Sequence, residues 1–359
     1  MAWLSVSVTP IRFSAVPREA SWRENMTVAL LGAWTVAGLF LDGWAHENLA
    51  ALETVFTPWH AVLYSGLFAT IVVYGWMVAR RRLGGLPGRE AIPPGYALGL
   101  AGLALFAVGG LADLLWHGAF GIERSLDALL SPPHLVMLVG ALLALTSPLR
   151  AAWLSRQQDD GVPNFWRFLP VVVVAALASA ATGFFFMYLS VFTGSDVSDG
   201  RVGWSLSAAS RLSSQRLGIA SIVITNAILF APVFFLMRRW VLPGGTFLLM
   251  FATTAVLLAG VREMAHWHAV VAALAGALLV EILHGTLQPS LGRPQRFRVF
   301  AATAPLVFWA VYFSVSHAVR GVVWSAELTF GVWIWTGLSG LALSLLVLPP
   351  AMPEPRQSA

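Results

Sequence analysis

Residues 41–60 read LDGWAHENLAALETVFTPWH, and residues 112–134 read ADLLWHGAFGIERSLDALLSPPH. Each stretch ends one apolar run and begins the next. Each sets an Asp four residues before a His, then a short polar connection with an acid (Glu53, Asp127), then Ser or Thr, Pro, one further residue and a second His. A chain that turns twice and writes the same side chains at both turns has an internal duplication, and the unit duplicated is a pair of helices.

The flanking runs make this a membrane chain. Hydrophobic residues are 58% of the sequence, charged residues 11%, and the mean hydropathy is +0.75, outside the range of soluble domains. Segments able to cross about 30 Å of hydrocarbon at about 20 residues each fall near 27–46, 57–79, 95–117, 132–149, 168–192, 217–237, 243–261, 267–285, 300–318 and 326–348. The expected fold is thus all-α, a polytopic bundle of about ten transmembrane helices with the duplication in helices 1–4. Its organisation is an N-terminal segment 1–26, a duplicated region 27–149, a six-helix region 168–348 and a tail 349–359.

The formal net charge of +5 comes with no lysine and no basic patch, so nucleic acid is not an expected partner. Arginines instead mark alternate connections: Arg12, Arg18 and Arg23, then Arg80, Arg81, Arg82 and Arg89, then Arg150, Arg156 and Arg167, then Arg238 and Arg239, then Arg293, Arg296 and Arg298, and Arg356 in the tail. The positive-inside rule places these connections and both termini in the cytoplasm. The expected location is a multi-pass position in a cell membrane, a bacterial inner membrane. No signal-peptide cleavage pattern precedes the first apolar run. The absence of cysteine excludes disulfides, thiolate zinc sites and iron–sulfur clusters, so any metal must be held by nitrogen and oxygen.

Seven of the eight histidines then fall on the outer face. His46, His117 and His317 end outward-going helices, and His60, His134, His266 and His268 begin returning ones. Asp42 and His46, like Asp113 and His117, are one helical turn apart on one face. Thr57 and Ser131 are placed to cap the returning helices, with Pro in the first turn. His60 and His134 therefore come back beside the Asp and His that precede them. Two histidines and one carboxylate are a ligand set used for non-haem iron, copper and zinc. The plainer reading is an Asp–His hydrogen bond at the interface beside an ordinary helix cap, and an aromatic-like preference of histidine for that interface. Ionisable groups in or near a span are, however, functional by default. Glu53 and Asp127 read either as partners that orient the histidines or as solvated loop acids.

The repeated Asp-x3-His with a His on the next helix resembles the copper-binding membrane component of particulate methane and ammonia monooxygenases that carries two neighbouring metal sites. The resemblance covers these short stretches only. It implies copper at Asp42, His46 and His60 and again at Asp113, His117 and His134, a small apolar substrate, oxidative chemistry and other membrane proteins as partners, alongside membrane lipid.

Residues 261–285, VREMAHWHAVVAALAGALLVEILHG, add Glu263, His266 and His268, which can join the same outer metal site. Glu281 and His284 repeat the Glu-x-x-His spacing of Glu263 and His266. The 18 residues between the two pairs put them about 27 Å apart on a helix, so they do not share one di-iron centre. Glu281 and His284 read as a hydrogen-bonded pair. The leading expectation is a copper or non-haem iron centre, with zinc or haem b as further options. A proton- or metal-coupled transporter or channel is the alternative from another class.

Overall fold

The computed structural model describes residues 18–49, 57–121, 125–155, 161–194 and 208–349. These are helical throughout: α1 Trp22–Asn48, α2 Pro58–Leu83, α3 Ala97–Phe120, α4 Ser125–Leu130, α5 Pro132–Leu145, α6 Ser147–Leu154, α7 Phe165–Phe185, α8 Ala208–Met237, α9 Thr246–Val261, α10 Trp267–Leu287, α11 Pro294–Val319 and α12 Ala326–Val347. Each of the ten expected apolar segments holds a helix. Among the described residues eight of these, α1, α2, α3, α7, α8, α10, α11 and α12, are long and apolar enough to cross a membrane, as a multi-pass membrane protein requires.

The difference from ten has two local causes. The expected span at 132–149 is α5 and α6, bent by 41° where they meet, so the count becomes nine if the bent pair is one span. Pro148, in the first turn of α6, has no N–H to give to the carbonyl of Ala144 four residues earlier. The Tyr74 hydroxyl of α2 donates to that carbonyl instead, at 2.8 Å. Arg150 ties the bend from the other side through Nε to the Gly95 carbonyl at 3.0 Å and its Nη atoms to Thr146, Ser147 and Leu143. The expected span at 243–261 is α9, whose 16 residues reach only about 24 Å. Its N-cap is Gly245, without a side chain, and Glu281 of α10 supplies the acceptor for the N–H groups of Phe247 (3.1 Å) and Leu248 (3.4 Å). Glu281 is thus a cap for a neighbouring helix rather than the partner of His284, which packs between Phe247 and Phe300.

The hydrophobic core is uneven. α7 is apolar on every side and the most buried span, as expected of a central helix, and with α8 to α11 it makes one large core. Asn226 of α8 crosslinks that half, accepting from Trp309 Nε1 at 2.9 Å and donating to Ser339 Oγ at 2.8 Å, the kind of interhelical contact that holds helices together in lipid. α1, α2, α3 and α5 enclose a smaller second core around Val28, Leu67, Tyr74, Leu103, Phe106 and Met137. Below it, at the end rich in arginine, Arg81 and Glu24 form a buried double contact of 2.8 and 2.9 Å that joins α1 to α2.

Candidate metal centre

The two helix pairs are built alike down to their closest contacts. Asp42 and His46 end α1, and His60 lies in the first turn of α2; Asp113 and His117 end α3, and His134 lies in the first turn of α5. One turn before each Asp is a glycine. A Cβ on Gly38 would stand 2.6 Å from Leu63 Cα, and one on Gly109 would stand 3.1 Å from the Met137 backbone nitrogen and 2.7 Å from its Cγ. Leu63 and Met137 each lie three residues after the second His. The glycine lets the returning helix lie against the outgoing one, and that approach carries His60 and His134 to the carboxylates. The repeated unit is therefore Gly-x3-Asp-x3-His, four positions longer at its start than the side chains with obvious chemistry suggest.

In the first group, Asp42 Oδ2 lies 3.8 Å from His46 Nε2 and 3.4 Å from His60 Nε2; in the second, Asp113 Oδ1 lies 3.4 Å from His117 Nε2 and 3.2 Å from His134 Nε2. Within each group one donor atom from every residue lies within 4.8 Å of the others. Atoms bound at about 2.0–2.2 Å to one ion at tetrahedral or wider angles stand about 3–4 Å apart, so the four carboxylate–imidazole separations are ligand-to-ligand distances. Among the described residues, the buried Asp42 Oδ1 has no hydrogen-bond partner. A buried carboxylate oxygen without one is costly, and a cation bound by the same carboxylate, whose Oδ2 faces both histidines, offsets that cost. The donor set fits a metal ion.

The orientation of two rings is fixed from behind. His117 Nδ1 lies 3.1 Å from the carbonyl of Gly121; a carbonyl only accepts, so this nitrogen carries the proton and Nε2 presents its lone pair. Gly121 caps α3 with φ +84°, backbone that favours glycine. In the first group the contact is on the other histidine, where His60 Nδ1 meets Thr57 Oγ1 at 2.9 Å. Thr57 also caps α2 by accepting from the His60 N–H at 3.1 Å. The expectation that Ser131 caps α5 in the same way is corrected: it occupies the cap position, but its buried hydroxyl makes no cap bond and has no partner among the described residues.

Both groups open onto one cavity of about 470 Å³ between α1, α2, α3, α5 and α7. They are close enough for charges to act across it, Asp42 with His134 and Asp113 with His60. Tyr64, one turn beyond His60, faces this space from between the groups, stacked on the His60 ring with centroids 6.2 Å apart. Glu47 lines the rim and pairs with Arg262 at 3.1 Å. Sequence reasoning missed both residues, although the four-residue step from His60 to Tyr64 was a readable sign.

The remaining expected ligands stand apart. Glu263 is exposed in the tight turn between α9 and α10, His266 is half-buried and His268 is buried. Their donors do not converge into a third group of the kind found twice, nor do they line the cavity. His317 is exposed, as is Asp127, which makes it a solvated acid; Glu53 lies outside the described residues. Comparison of the chain with protein-family models, curated proteins and solved structures finds no match.

Proposed function

We propose that this chain is a membrane metal-binding protein with two like sites, Asp42–His46–His60 and Asp113–His117–His134, at the extracytoplasmic face. The observation that carries this reading is the convergence of six donors, in two groups of the same construction, on one cavity. Copper is the preferred metal and non-haem iron the alternative, since two imidazoles and a carboxylate suit both. Three protein ligands leave coordination positions open toward the cavity, the arrangement of sites that act on a substrate rather than merely brace a fold. A redox-active ion there supplies oxidative chemistry, and the likeness to the copper-binding membrane component of particulate methane and ammonia monooxygenases supports a part in a membrane oxidoreductase acting on an apolar substrate. The residues' own parts are to bind the ion (the six ligands), to set ring orientation (Thr57 and the Gly121 carbonyl) and to exclude water (the apolar cavity wall).

Two observations favour this over the other classes. Below the ligands the cavity wall is apolar apart from Tyr64, one turn beyond His60, and Thr35 and Thr70 deeper in, too few polar groups to make a path for protons or ions in transit. A carboxylate oxygen 3.2–3.4 Å from both ring nitrogens leaves no room for a porphyrin between them. The test is spectroscopic: detergent-purified protein loaded with copper should give an EPR signal with hyperfine structure from two nitrogens per ion. A Soret band instead, or a copper signal without nitrogen coupling, overturns the assignment.

A further inference from the structure

The cavity is far deeper than two metal ions need. On α1 its wall runs from His46 down to Val28, 18 residues or about 27 Å of helix; on α3 from His117 to Leu103, about 21 Å; on α5 from His134 to Leu145, about 16 Å. Its lower wall is apolar apart from Thr35 and Thr70, and toward the arginine-rich end the Tyr74–Ala144 hydrogen bond joins α2 to α5 and the Arg81–Glu24 pair joins α2 to α1. The shape is a deep shaft with donors at the top and apolar side chains below, and its volume of about 470 Å³ is within the about 300–1,000 Å³ of small-molecule sites.

The charge at the top selects the head of a ligand. Each site with a divalent ion and one aspartate carries net +1, and Glu47 is already matched by Arg262. Two such sites beside one another with open positions attract an anionic oxygen donor. We propose that the shaft holds one single-chain amphiphile, a long-chain carboxylate, with its head on the metal sites and its chain lying along α1, α3 and α5. This rests on the metal reading for the head and on the shaft alone for the chain.

The test is native mass spectrometry of the full chain released from detergent after incubation with palmitate, with copper counted on the same samples. Copper-loaded wild type should retain one palmitate, while acetate, which lacks the chain, and hexadecane, which lacks the head, are not retained. Stripping copper with a chelator should reduce retention at least tenfold. Ala141→Phe, which puts a ring into the shaft about two turns below His134, should keep its copper and lose the palmitate. Equal retention of palmitate and acetate by wild type, or of palmitate by copper-replete Ala141→Phe, overturns the proposal while leaving the metal reading intact. Absence of copper from wild type after loading overturns the copper assignment, and the head contact with it.

Discussion

At the scale of single residues, the two sites differ in what stands behind them, and this gives opposite expectations for similar substitutions. Thr57→Ala removes both the cap of α2 and the contact to His60 Nδ1. It should cost about 1 kcal/mol of stability and weaken one metal site by about 10–100-fold. Ser131→Ala removes a hydroxyl that makes no cap bond, so stability should hold or rise slightly; thermal unfolding and metal titration of the two variants side by side check this. A matching loss of stability in both would mean that Ser131 caps α5 after all. The sequence shows Thr57 and Ser131 as equivalents because both precede Pro. What separates them is where the loop delivers the side chain, and spacing does not encode that.

Among the elements, the decisive feature is the pair of glycines at Gly38 and Gly109. Gly38→Leu places a branched side chain where Leu63 backbone already stands. It should cost about 1–3 kcal/mol or more through overpacking and empty the first site while the second keeps its ion. Retention of both ions by a folded Gly38→Leu protein contradicts the close crossing of α1 and α2. Tyr74→Phe should destabilise by about 0.5–1.5 kcal/mol, because the Ala144 carbonyl, which Pro148 cannot serve, loses the hydroxyl that joins it to α2 and keeps only the N–H of Thr146. Chemical or thermal unfolding measures it. The helices, the cap at Thr57 and the meeting of Asp42 with His60 were legible in the apolar runs and the Thr-Pro start. The bend at Pro148 was hidden because an apolar run reads the same whether straight or broken. The length of α9 was hidden because the cap comes from Glu281, 36 residues beyond Gly245, and a contact so distant leaves no local mark. Gly109 was passed over as one small residue among many in an apolar helix.

For the whole molecule, the proposed sidedness follows from arginines at one end and ligands at the other. With no native cysteine, single cysteines at Glu263 and at Gly84 report it through an impermeant label applied to intact cells. Glu263→Cys should label and Gly84→Cys should not; the reverse pattern inverts the topology. The expected third ligand group, Glu263 with His266 and His268, was drawn to the repeats by their shared face. A common face is a weaker condition than a common cavity, and the turn between α9 and α10 holds these residues away from it. The two triads meet because each lies on a tight helix pair and both pairs border the loosely filled half of the bundle, beside the large core around α7. The most direct measurement is the number of copper ions per purified chain, by elemental analysis, in wild type, His60→Ala, His134→Ala and the double variant. The predicted counts are two, one, one and none in folded protein. A count that stays the same across the four contradicts the assignment of these histidines as ligands.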